Sequence, residues 1–77
     1  MKIAARLVFR EAGQSVVHIK QYADVQPMKV DLDLIYSGNG WLQLREGELP
    51  DHSFEEYVRS SDIVWYRSEV FSPPRDY

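Results

Sequence analysis

Apolar and polar residues alternate in several stretches of this chain, and the clearest alternation runs from Lys29 to Arg45. Val30, Leu32, Leu34 and Tyr36 fall on one side of an extended chain, and Leu42 and Leu44 continue the pattern beyond Ser-Gly-Asn-Gly. Directly opposed residues of a hairpin share a face, so Leu34 is predicted to face Leu44 and Tyr36 to face Leu42. That register leaves Gly38, Asn39 and Gly40 as the loop, with Gly40 in the left-handed conformation that a glycine adopts without a Cβ clash. The opposite face then carries Asp31, Asp33, Ile35, Trp41, Gln43 and Arg45, with Asp33 across from Arg45.

An earlier alternation, Ile3-Ala5-Leu7-Phe9, precedes a β-branched stretch from Val16 to Tyr22, with a reversal around Gly13. Two registers compete. Setting Leu7 against Ile19 and Phe9 against Val17 unites the apolar faces, whereas a Gly13-Gln14 turn sets Phe9 against His18. Burial of a large side chain is worth about 1.5–3 kcal/mol, which favours the first register. Pro27 marks Ala23 to Met28 as a connector.

After a polar turn around Gly47 and Pro50, the pattern changes period. Ser53 and Glu56 have the spacing of a capping box, and Phe54, Tyr57 and Val58 follow as an i, i+3, i+4 stripe. The spacing predicts a short helix there. Asp62 to Phe71 reads as a last strand, with either Ile63-Trp65 or Val64-Tyr66-Val70 inward, ended by Ser72-Pro73-Pro74. The predicted fold is therefore a single α+β domain over residues 1–72: two N-terminal hairpins and a C-terminal strand in one antiparallel sheet packed on one helix. Its order is β-β-β-β-α-β, with a flexible tail at 73–77.

Composition narrows the class without choosing a function. At 77 residues, 44% hydrophobic and 27% charged, the chain has the make-up of one small globular domain. It contains no cysteine, so neither disulfides nor thiolate metal sites are available. No apolar run approaches the roughly 20 residues of a membrane span, and the start lacks a signal-peptide core, so a cytoplasmic location is expected.

Charge is divided unevenly. Residues 1–30 carry a net +3, residues 31–62 a net −6, and the remainder cancels to the overall −3. An acidic middle argues against direct nucleic-acid binding and favours a partner with a basic surface. Motifs for catalysis are lacking: the sequence has no P-loop, dinucleotide fingerprint, nucleophile elbow or HExxH zinc motif. Asp51-His52-Ser53 holds the letters of a triad, but a triad is a spatial arrangement that adjacent residues do not form. Asp31 and Asp33 share a strand face without an identifiable third ligand, so neither a metal nor another cofactor is expected.

What remains is a candidate protein-binding surface: Asp31, Asp33, Ile35 and Trp41 on the outer hairpin face, with Glu46, Glu48, Asp51, Glu55 and Glu56 nearby. Tryptophan buries much area at low entropic cost, which suits it to anchoring a partner. The competing reading makes Trp41 a cover for the sheet's second face and the acids a solvated rim.

The profile as a whole (short, acidic, cysteine-free, without catalytic motifs) is similar to that of many small phage proteins. Some of these are anti-CRISPR inhibitors that occupy nucleic-acid sites; the likeness is one of size and charge. The leading expectation is a non-enzymatic, stoichiometric inhibitor that binds a basic surface of a larger protein or nucleoprotein complex, in the host cytoplasm if phage-encoded. The alternative is an assembly subunit acting through homo-oligomerisation, for instance as a homodimer. A small enzyme comes third.

Overall fold

The computed structural model describes residues 2–76. These residues form an α+β fold, with five strands in two antiparallel sheets and one helix, in the order β-β-α-β-β-β. Strand β1 (Lys2–Glu11) is the centre of the larger sheet, flanked by β2 (His18–Tyr22) and β5 (Ile63–Asp76). Helix α1 (Val25–Ser37) follows β2, and β3 (Trp41–Glu48) pairs with β4 (Ser53–Arg59) as a separate hairpin. A short 3₁₀ turn, Ser60–Asp62, leads into β5.

The stretch predicted as the first arm of a central hairpin is the helix. Its sequence carries two periods at once. Read by twos, Val30, Leu32, Leu34 and Tyr36 align; read by threes and fours, Val25, Met28, Leu32 and Ile35 align. The second set lies in or against the core, while Val30 and Tyr36 are 54% and 87% exposed. Pro27 is the third residue of the helix, inside the first turn, where no intrahelical partner awaits its missing N–H. Gly38 ends the helix at φ 69°, its N–H bonded back to Leu34 and Ile35 carbonyls. Gly40 has the positive φ expected of it, but in the link from α1 to β3 rather than in a hairpin loop.

The predicted helix at Ser53 is β4. Phe54, Glu56 and Val58 alternate toward the body and Glu55, Tyr57 and Arg59 away from it, a strand pattern disguised by a carboxylate at an inward position. Ser53 therefore opposes Glu48 in a ladder instead of capping a helix.

Leu7 and Phe9 on β1 are fully buried, Met28 and Ile35 of α1 nearly so, and Leu42 of β3 and Val58 of β4 close the cluster. The first hairpin adopts the register that turn chemistry favoured, Phe9 opposite His18 and Leu7 opposite Lys20, with Gly13 at φ 79° in its loop. Inward-facing His18 and Lys20 are tolerated because the heads of these polar side chains are satisfied. His18 Nε2 lies 2.9 Å from Glu11, and Lys20 Nζ lies 2.9 Å from Asp31. Their apolar stems meanwhile line the core side. Val17 and Ile19 turn outward, 41% and 57% exposed.

Strand β5 continues past the prolines expected to end it. Between the pairs Ala5–Val70 and Ile3–Arg75, β5 spends Phe71-Ser72-Pro73-Pro74 against the single residue Ala4. The prolines thus sit in a bulge, where no ladder donor is required. Arg75 and Asp76 then rejoin β1, and Arg75 lies 4.8 Å from the Phe71 ring. Of the predicted tail, residues 73–76 are strand, and Tyr77 lies outside the described residues. Ile63 packs toward the core, whereas Trp65 pairs with Arg10 on the other face beyond a second bulge at Val64.

Candidate functional site

The β3–β4 hairpin starts in the core and runs out into solvent. Leu42 and Val58, directly opposed, anchor it, and Leu44 packs against the same core; farther out Phe54 is half-buried. A Cβ at Gly47 would meet the Phe54 ring at 2.7 Å, so the absent side chain is the space the ring fills. At the base, Ser60 donates from both its N–H (3.1 Å) and its hydroxyl (3.0 Å) to the Gly40 carbonyl, joining the hairpin's two ends.

Register decides which side chains share the outer face. Trp41 opposes Arg59, Gln43 opposes Tyr57, Glu46 opposes Glu55 and Glu48 opposes Ser53, a shift near Leu44 preserving the set. One face therefore carries three carboxylates, two exposed aromatics and one arginine. Trp41 is 56% and Tyr57 49% exposed. The Arg59 guanidinium lies 5.0 Å from the Trp41 ring, Gln43 donates to Glu46 at 3.2 Å, and the Tyr57 hydroxyl donates to Glu55 at 2.9 Å. That bond, with lesser help from desolvation and the Glu55 and Glu46 charges, holds the Tyr57 phenol above its usual pKa. A cleft of about 710 Å³ runs along Glu46, Glu48, Phe54, Glu55 and Tyr57.

Glu46 and Glu55 are the informative pair. Like charges directly opposed across two strands destabilise a hairpin, and here no basic side chain is placed between them by the ladder. Arg45 instead pairs with Glu56 at 3.0 Å. Asp51 sits in the turn, 2.6 Å from His52 Nδ1.

The predicted surface is thus divided. Trp41, Glu46, Glu48 and Glu55 come together on one face, Asp51 lies at the tip, and Glu56 is turned to the other face. The remaining three lie elsewhere. Ile35 is 8% exposed and belongs to the core. Asp33 is exposed on α1, so it does not oppose Arg45. Asp31 ties three elements together: it accepts from Lys20 of β2 at 2.9 Å and from the Tyr22 hydroxyl, while Lys20 also donates to the Gln43 carbonyl of β3 at 2.7 Å. Burial first, then the hydrogen bond and charge of Asp31, pushes the Tyr22 phenol far above its ordinary value.

Tyr57 and Arg59 were hidden by the helical reading of their segment. The signal that finds them is the alternation Ser53-Glu55-Tyr57-Arg59.

Among the described residues, no cluster of three or more His, Cys, Asp or Glu side chains is arranged to hold a metal, and no helix is long and apolar enough to cross a membrane. No protein-family profile, curated protein or solved structure matches the chain.

Proposed function

We propose that the protein acts by binding a basic protein surface through the outer face of the β3–β4 hairpin, as a stoichiometric inhibitor of a nucleic-acid-binding partner. One observation carries the reading: Glu46 and Glu55 are set opposite each other on a projecting hairpin, at a cost to folding, beside exposed Trp41 and Tyr57. A solvated rim needs no such opposition, since either position would be more stable with a lysine. A cationic partner turns the same repulsion into attraction, and the two aromatics supply the area that holds it once docked.

Glu46→Lys separates the two accounts. It creates an attractive cross-strand pair with Glu55, so the isolated protein should gain about 0.2–1 kcal/mol in denaturant unfolding. The same variant should bind its partner far more slowly, because charges at a rim act mainly on encounter. Trp41→Ala should instead speed dissociation. The measurement is affinity capture from nuclease-treated lysate of the source cell by wild-type protein and by Glu46→Lys, then binding kinetics across ionic strength on the captured protein. A basic partner retained by the wild type, released by added nucleic acid and lost with Glu46→Lys supports the proposal. Identical capture by both proteins, or binding indifferent to salt, refutes it.

A further inference from the structure

Among the described residues, strand β5 is a sheet edge with no strand paired on its outer side. It pairs with β1 on one side only, and α1 packs over β1, β2 and the β3 side rather than over β5. Val64, Trp65, Tyr66 and Val70 are consequently 56%, 40%, 44% and 58% exposed. The accessible surface of the chain, 5572 Å² at 9.0 kDa, exceeds by about 700 Å² the roughly 4,850 Å² that size scaling assigns to a compact monomer. That excess is close to the roughly 800 Å² each partner buries in a standard interface.

Natural edge strands are kept apart by bulges, prolines and charges. Here the register shifts fall at the ends of β5, near Val64 and at residues 71–74. From Trp65 to Val70 the ladder against β1 is unbroken. The charges within that regular stretch are Arg67 and Glu69, of opposite sign and two residues apart.

Their order is self-complementary. In an antiparallel pair of two identical edges forming one continuous sheet, the twofold axis is perpendicular to the sheet. Opposed residues then come from the same face, and the axis passes through a single residue position. Placing it at Ser68 sets Arg67 against the partner's Glu69, Trp65 against the partner's Phe71 and Tyr66 against the partner's Val70, each twice. Placing it one residue away sets Arg67 against the partner's Arg67, or Glu69 against the partner's Glu69. Glu69 is already oriented, since Arg6 donates to its two oxygens at 2.9 and 3.1 Å. The Arg67 side chain, 57% exposed, lies 3.8 Å from the same carboxylate within its own chain, so that pairing across the axis extends an existing charge cluster. We infer that the protein is a homodimer in which two β5 strands pair antiparallel about Ser68, joining the three-stranded sheets into one six-stranded sheet. An unrelated extended peptide would satisfy the free backbone groups equally well, but not this reciprocal set of side chains. The interface uses no residue of the acidic hairpin face, so the two surfaces are independent.

The test combines mass with register. Sedimentation equilibrium from micromolar to millimolar concentration should give twice the chain mass of 9.0 kDa for the wild type. Arg67→Glu, which faces each Glu69 with a like charge, should weaken association at least about tenfold while leaving the circular dichroism unchanged. The chain has no cysteine, so single cysteines report the register. Ser68→Cys should form an intermolecular disulfide on mild oxidation, because opposed Cα atoms lie about 4.5–5.5 Å apart. Tyr66→Cys and Val70→Cys should each stay reduced alone, about 13 Å from their own copies, yet cross-link when mixed. A monomer throughout the concentration range overturns the inference. So does a dimer that Arg67→Glu leaves intact, or one in which Ser68→Cys stays reduced.

Discussion

Asp31 shows how a single carboxylate changes meaning with its backbone. On an outward-facing strand it would be one more acid of a solvated face, replaceable at no cost. On α1 it meets the Lys20 ammonium and the Tyr22 hydroxyl, with its side chain only 13% exposed. Removing it strands a buried phenol and leaves the part-buried Lys20 ammonium with only the Gln43 carbonyl, and a lost partner of this kind costs about 1–3 kcal/mol. Asp31→Ala should therefore lower unfolding stability measurably in denaturant titration, while Asp33→Ala, on the exposed side of the same helix, should stay within about 0.5 kcal/mol of wild type. Equal effects at the two positions would contradict the placement of the helix. Gly47 makes the complementary case: its value lies in what is missing, since any Cβ there would displace the Phe54 ring.

Among elements, the strand with an unbroken apolar alternation was legible, and the elements whose residues fit two periods were not. Ile3-Ala5-Leu7-Phe9 marks β1 because every second residue there is apolar, although Ala4 and Val8 at intervening positions are buried as well and only Arg6 and Arg10 break the second face. Residues 25–37 were misread because Val30, Leu34 and Tyr36 complete a convincing alternation while contributing little to the core. Local pattern does not say which of two valid stripes finds a partner. Tertiary packing decided, through the side of α1 that meets β1 and β3. The candidate site was legible as composition, a run of acids near a tryptophan, but its face required the β3–β4 register, which the false helix concealed. Substitution distinguishes the stripes cleanly. Met28→Ala and Ile35→Ala should each cost about 2–5 kcal/mol, whereas Val30→Lys and Tyr36→Lys, at exposed helical positions, should change stability by about 0.5 kcal/mol or less. The hairpin reading orders these the other way, since it buries Val30 and Tyr36 and exposes Ile35.

For the molecule as a whole, two sheets and a helix share one core, and the joint between them is partly polar: Lys20, Tyr22, Asp31 and the Gln43 carbonyl connect β2, α1 and β3. This joint gives global stability a pH dependence at the alkaline end. The Tyr22 phenol is raised above its ordinary value of 10.0 by burial and by its bond to Asp31, so the folded state holds its proton at pH values where the unfolded chain has released it. Stability rises with pH only where the unfolded state binds more protons; here the folded state binds more, so the contribution is complete below pH 10 and is lost as pH rises beyond it. Glu69 acts in the opposite direction at the acid end. The Arg6 hydrogen bond holds its carboxyl below the usual 4.5, and the stability this confers is present above that value and lost as pH falls through the lowered one. Tyr57 also has a raised phenol, through Glu55, but its side chain is exposed, so Tyr22 is the main source of the alkaline loss. Tyr22→Phe separates them. Denaturant midpoints followed from pH 8 to 11 should fall steeply for wild type and more gently for Tyr22→Phe, with Tyr57→Phe close to wild type because that side chain is exposed. A Tyr22→Phe profile parallel to wild type would mean that the phenol is solvated in the folded protein, and that Asp31 and Lys20 hold the joint without it.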